Sequence, residues 1–539
     1  MSTQAQPHPP LSGGQRALGT LVLSLATFMN VLDASIANVS LPAIAGDLGA
    51  SVHQGTRVIT GFGIATAISV PLTGWLTQRF GQVRLFVASV LLFVLASWLC
   101  GQATSLDWLI GFRVLQGLVA GPMMPLSQTL LMGSHPPERA GRALAIWSMT
   151  VLLAPIAGPL LGGWITDNVH WAWIFYINVP IGLACAGLTW VIYRRRESAI
   201  KRVPVDAVGL VLLVIWVGSL QTLLDTGKEE DWFESTWIVS LAIVSGVGFV
   251  LFLIWELTDK HPIVDLRLFA NRNFTFGVIA LAGGFALFSG NVVLLPLWLQ
   301  QAMGYTATWA GLVLAPVGVV AVLVSPLAGR GIDRGLARPI AVVAFVAFAW
   351  SFWLRSLFTT QADYLTIVEP MLLQGVGGSL FFIAMSAISL SEIHPSQLPL
   401  AAGLSNFVRI SAGAFGTSIF STAWDSRTQH HRVHLVEGAS REGWALEGAF
   451  YDSLRAAGMT LEQIRGQLER LIEVQAQTLG ANDIFLVSSV LYLTLIVPVL
   501  LARPVRARRR VPSAAPSPAP ATLRREADVA LDARPRPAP

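Results

Sequence analysis

The 539-residue chain is 53% hydrophobic and only 12% charged, about half the charged share of an ordinary soluble domain, which excludes a soluble enzyme or binding module. Its net charge of +5 is dispersed between apolar runs rather than gathered into a stripe, which argues against a nucleic-acid partner. Two cysteines, Cys100 and Cys185, both inside apolar runs, leave no disulfide framework.

Stretches near the ~20 residues a spanning helix needs are predicted at 15–41, 54–77, 83–102, 106–131, 140–165, 171–193, 206–224, 236–258, 273–299, 307–330, 337–357, 363–391, 401–424 and 483–502. These fourteen spans define an all-α integral membrane protein. Placing both termini in the cytoplasm puts 25 of the 36 Lys and Arg residues on that side, as the positive-inside rule requires. Residues 1–14 read as a cytoplasmic segment with no cleaved signal.

The first span carries Asn30 and Asp33 on one face, with Asn38 further round. A charge at a helix centre costs ~2.5–3.5 kcal/mol on insertion scales, so Asp33 reads either as a structural ion-pair member or as a protonatable carboxylate that selects between conformations. The second span ends in Pro71-Leu-Thr-Gly-Trp-Leu-Thr-Gln-Arg79 and turns at Gly81; the fourth carries Arg113 and Gln116. Arginine stays charged, so Arg113 can be a partner or switch but not a proton carrier. The fifth span contains Ala154-Pro-Ile-Ala-Gly-Pro-Leu-Leu-Gly-Gly163. Pro155 and Pro159 remove backbone donors, and Gly158, Gly162 and Gly163 permit close helix approach, so a hinge and a static seam both fit.

The second span's ending returns 255 residues later as Pro326-Leu-Ala-Gly-Arg-Gly-Ile-Asp-Arg334, and Leu115-Gln-Gly117 returns 258 later as Leu373-Gln-Gly375. Equivalent spans lie eight apart with the same orientation, so two six-span units enclose an inserted pair. The predicted organisation is a first bundle at 15–202, an inserted pair with its connection at 203–272, and a second bundle at 273–502. Within the second bundle, 425–482 is expected as a long outside loop, with Thr460-Leu-Glu-Gln463 reading as a capping box for an amphipathic helix. His430, His431 and His434 there read as solvated more than as a metal site. Arg409 in the thirteenth span fits a cytoplasmic-side anchor, and Glu256 an interfacial position. The Pro/Ala/Arg-rich 503–539 reads as a disordered cytoplasmic tail.

With Leu32-Asp-Ala-Ser-Ile-Ala-Asn-Val-Ser-Leu-Pro42, the Gly74–Arg84 turn, Arg113-Val-Leu-Gln-Gly117 and Trp173-Ile-Phe-Tyr-Ile-Asn-Val-Pro-Ile-Gly182 in view, the chain resembles the major facilitator superfamily. Within it the fourteen-helix drug:proton antiporter branch, of EmrB type, is the nearest in pattern. That resemblance implies export of hydrophobic or amphipathic drugs in exchange for protons, with the proton gradient as energy source and no cofactor or metal. It implies an inner-membrane location beside a periplasmic adaptor and an outer-membrane channel. It assigns coupling to Asp33 and Arg113. Conformational motifs fall on Gly74, Arg79, Gly81, Asp333 and Arg334, and on Pro155, Gly158, Pro159, Gly162 and Gly163. Polar contacts in a cavity between the halves fall on Asn38, Gln116, Asn291 and Gln374. The family's turn usually carries Asp where this chain has Gln78, which weakens a charge relay there. A dedicated exporter of one endogenous siderophore, fatty acid or antibiotic remains open. A membrane sensor would need a folded signalling domain, and an enzyme a reactive cluster within the spans; neither is visible.

Overall fold

The computed structural model describes residues 10–136, 139–200, 204, 206–260, 262–441 and 449–505; residues 506–539 of the expected tail and most of the 1–14 segment lie outside them. Among the described residues the α-helices run, in chain order, α1 (Gly13–Asp47), α2 (Val52–Ser69), α3 (Thr73–Phe80), α4 (Gln82–Gly101), α5 (Leu106–Ala120), α6 (Met123–Ser134), α7 (Ala140–Asn168), α8 (Trp173–Tyr176), α9 (Asn178–Tyr193), α10 (Ala207–Thr226), α11 (Thr236–Thr258), α12 (Arg272–Gln301), α13 (Ala307–Asp333), α14 (Ala337–Arg355), α15 (Tyr364–Ser389), α16 (Leu398–Arg441), α17 (Ala449–Ala456), α18 (Leu461–Thr494) and α19 (Ile496–Leu501). Twelve spans pass on length and hydropathy, or thirteen if α2 and α3, bent by 61° at Val70–Leu72, count as one. The fourteenth is α16, which packs along α12 and α18 but carries Asn406 and Arg409 and a polar far end, lowering its hydropathy.

The duplication is visible in the packing. In the first half α1 lies along α7, α2 along α5 and α4 along α9; in the second, α12 lies along α16, α13 along α15 and α14 along α18. The repeated Gln-Gly pairs occupy equivalent contacts. A side chain on Gly117 would strike the Phe62 carbonyl, and one on Gly375 the Val317 carbonyl, 255 residues apart. The inserted α10 and α11 pack on each other, with α10 against α2 and α16, and Trp216 of α10 meets Phe407 edge-on. Much of α11 leaves its apolar side chains outward, among them Ile243, Val247, Val250 and Ile254, as a helix facing lipid requires.

Both described ends lie on one face, called here the terminal face. The Leu11 amide bonds Ser134 O at the end of α6, while Arg272 and Arg338 donate to the carbonyls of Leu501 and Leu500. On the opposite face, residues 425–482 are mostly helical rather than a loop. Both α16 and α18 continue beyond the bundle and form a hairpin with α17 at its tip. Arg427 and His431 reach Asp483 at 2.5 and 2.8 Å, and Arg432 reaches Glu469 at 2.9 Å. The Thr460–Gln463 capping box is present at the start of α18. Helices leaving water-facing ends unpaired need such caps, and charged arms can extend because water solvates them. Lys228, after the inserted α10, joins Asp425 at 2.6 Å.

Candidate functional site

Asp33, well inside α1, is 1% exposed, and Arg113 of α5 is 0% exposed. Their Nη1–Oδ2 separation is 2.6 Å. Burying an ion pair is favourable only when the remaining donors and acceptors are also matched; three further side chains match the carboxylate and Arg113 Nη1, while Arg113 Nη2 has no hydrogen-bond partner among the described residues. Arg113 Nη1 donates to Gln116 Oε1 at 2.7 Å, Gln116 Nε2 donates to Asp33 Oδ1 at 3.1 Å, and Asn178 Nδ2 donates to the same oxygen at 2.7 Å. Asn178 also donates to Ser97 Oγ at 3.0 Å. The guanidinium lies over Phe62 at 4.1 Å and near Phe175 at 5.6 Å, where aromatic faces attract a cation. The cluster therefore ties together α1, α4, α5 and α9. Change the charge of Asp33 and contacts on four helices change together.

A seam runs from this cluster to α7. Ser35 Oγ donates to the Pro155 carbonyl at 3.1 Å. That carbonyl has lost its helical donor, because residue 159 is proline; the serine of α1 replaces it. A Cβ on Gly158 would stand 2.7 Å from Ser35 Cβ, and one on Gly162 would stand 2.9 Å from the Ile36 carbonyl. Ser40 and Thr166 close the seam at 2.7 Å. Gly163 is looser, with Val39 Cγ1 at 3.9 Å. The residues flanking Asp33 thus rest directly on the proline-glycine run.

The two halves meet on the terminal face. Asp333 Oδ1 accepts the Gly141 amide at 2.8 Å, at the start of α7, and Oδ2 lies 3.4 Å from Arg142 Nε. A carboxylate at a helix N-terminus meets unsatisfied amides and the positive end of the dipole. The first repeat has Gln78 in place of Asp333 and closes differently: Gly74 fits under Leu400 of α16, whose Cα would lie 3.0 Å from a Cβ there. Gly81 has φ +86 and lies beneath Glu197, which caps α4 through the amides of Val83 and Arg84 at 2.9 and 3.0 Å. Arg79 stacks on Trp75 at 5.7 Å, and Arg334 is exposed at the end of α13. Asp333→Ala is expected to weaken the closure by about 1 kcal/mol, the worth of a helix cap. Labelling of a cysteine placed at residue 145 should rise roughly fivefold; an unchanged rate would show that Asp333 does not hold the halves together.

Three of the four expected cavity residues are placed otherwise. Gln116 belongs to the Asp33 cluster. Asn291 donates to Leu287 O at 2.8 Å and Ser488 Oγ at 3.3 Å, and Gln374 accepts from Arg355. All three turn into the interior of their own half, because a buried amide must find partners and these lie within its own bundle. Asn38 is exposed. One anchor is also corrected: Arg409, eleven residues into α16, is 4% exposed, whereas Glu256 lies two residues from the end of α11, is 1% exposed and accepts the Val264 amide. Asn178, Ser97 and Arg355 belong to these networks although sequence reasoning singled out none of them. An uncharged Asn inside a span was the available signal for the first. Among the described residues no group of three His, Cys, Asp or Glu side chains is arranged to hold a metal.

Residues 23–417 match the Major Facilitator Superfamily. The chain is 48% identical to the multidrug export protein EmrB of Haemophilus influenzae over 505 residues, covering 94% of this chain and 99% of that one. It is 47% identical to the fatty acid resistance protein FarB of Neisseria gonorrhoeae, covering 92% and 98%. The fold is similar to the crystal structure of the human organic anion transporter MFSD10, with TM-score 0.60 at 13% identity, covering 91% of this chain and 100% of that one.

Proposed function

Because this chain belongs to the major facilitator superfamily, we propose that it is a proton-coupled multidrug efflux transporter of the inner membrane, a carrier rather than an enzyme. It exports hydrophobic and amphipathic compounds by alternating access. The relatives named for multidrug export, matched over nearly their whole length, support the class. The buried Asp33–Arg113 pair carries the mechanism. A proton from the outside neutralises the Asp33 carboxylate, since the guanidinium holds its own proton throughout. The charge-assisted bond to Arg113 is then lost, and α1 is free to shift against α5, α9 and the glycine seam of α7. The proton gradient supplies the energy, and no cofactor takes part. The excess of basic residues on the terminal face supports a cytoplasmic position for it, and the Asp333 and Leu400 closures then block passage to that side.

In liposomes holding the purified chain, an acid interior should drive uptake of a fluorescent lipophilic drug, and collapse of the gradient should stop it. Uptake indifferent to the gradient would contradict the proposal.

The hairpin supports a further element, docking of a periplasmic adaptor that leads to an outer-membrane channel. Its arms project from the face opposite the termini and are braced by the Arg427, His431 and Arg432 ion pairs, as a rigid docking post needs to be. Replacing 436–465 by a flexible linker removes the tip and spares the bracing around Asp483. Drug uptake into liposomes should persist, while resistance of cells with a complete envelope should vanish. Loss of both would make the hairpin part of the carrier's own fold; retention of both would remove it from docking.

A further inference from the structure

Arg409 is a buried cation without a counter-charge. It lies eleven residues into α16, about 16 Å along the helix from Leu398 at 1.5 Å per residue. Its Nη2 reaches Asn406 Oδ1 at 3.0 Å within its own helix and Met124 Sδ at 2.9 Å on α6 of the first half. The guanidinium lies over Phe285 of α12 at 4.5 Å. Among the described residues no carboxylate pairs with it, and none gives Nε or Nη1 a hydrogen-bond partner. By contrast Arg113, also buried, has a carboxylate and an amide.

The position is what matters. Arg409 sits on the line where α16 of the second half meets α6 of the first, with Asn406 Nδ2 reaching Gln128 Oε1 at 3.3 Å across the same line. Beside it Phe285, Phe288 and Phe382 form one cluster, with ring centroids 5.9–6.1 Å apart. A charge inside a membrane protein normally has a partner or faces the transport path, and an unpaired one is costly. A thioether is a weak acceptor. When the halves part, Met124 leaves with α6, and the guanidinium is left on the second half beside an aromatic surface.

We propose that Arg409 is a specificity-determining residue that binds the anionic head of amphipathic substrates, a carboxylate above all, while Phe285, Phe288 and Phe382 receive the apolar body. This rests on the efflux reading and narrows its substrates. A planar guanidinium donates two parallel hydrogen bonds to a carboxylate, and its aromatic support keeps it in place without competing for the anion.

The test uses the full chain in liposomes with three probes of one chain length: dodecanoate, its methyl ester and dodecyltrimethylammonium. Wild type should bind and transport dodecanoate. Arg409→Gln should weaken dodecanoate binding about tenfold to hundredfold, the loss of one or two bonds to a charged group, and leave the ester and the ammonium unchanged. Arg409→Lys should recover part of the loss. Equal losses for all three probes in Arg409→Gln would make Arg409 structural, and equal retention would leave it without the role; either overturns the proposal. If wild type carries the ester or the ammonium against a proton gradient but not dodecanoate, only this proposal fails. If it exchanges none of the three for protons, the efflux reading fails with it.

Discussion

Asp33→Asn should reduce proton-driven drug accumulation to that of empty liposomes, at wild-type levels of inserted protein. Asp33 is the carboxylate of its cluster: Arg113 keeps its charge, Gln116, Asn178 and Ser97 carry none, and the Cys100 thiol donates to Gln116 Oε1 at 3.7 Å. Asn keeps an acceptor for the guanidinium and removes a charge from the membrane interior. It also leaves Arg113 unpaired, and breaking a buried pair costs about 3–5 kcal/mol. Insertion and thermal stability are therefore measured beside transport. Downhill drug movement should persist. Uphill transport by the Asn variant at equal expression would remove Asp33 from coupling.

Gly158→Leu should stop turnover almost completely while the protein still inserts. A Cβ alone would stand 2.7 Å from Ser35 Cβ, so a leucine cannot fit unless α1 moves off α7. Overpacking of this kind costs about 1–3 kcal/mol, which a bundle of fourteen spans tolerates. The displacement falls two residues from Asp33 and breaks the bond from Ser35 to the Pro155 carbonyl. Gly163→Leu, where the nearest atom is 3.9 Å away, is the control and should transport far better. Single cysteines on each face should label from one side only in Gly158→Leu. Ordinary labelling from both sides would show that the seam is passive.

The duplicated plan was legible because each repeat must make the same turn and the same close approach, and only a few residues permit either. Gly117 against Phe62 and Gly375 against Val317 show why the short echo survived in diverged halves. Asp33 and Arg113 stood out because charge inside an apolar run is costly. Their uncharged partners did not: Asn178 and Ser97 matter through the face they present, and helix rotation is set by tertiary packing. The same gap misplaced Gln116, Asn291 and Gln374, polar residues on the anticipated helices that face the other way. The hairpin read as a loop because hydropathy marks where a helix leaves lipid, not where it stops. Only its second arm carried a visible cap and period.

In this mechanism the Asp33 carboxylate exchanges its proton for substrate. Proton release on drug binding, recorded with a pH indicator in weakly buffered detergent solution, tests it most directly. Wild type held at a pH where the site is protonated should release protons in proportion to drug bound, and Asp33→Asn should bind drug and release none. Equal release by both would show that the exchanged proton is not carried by Asp33.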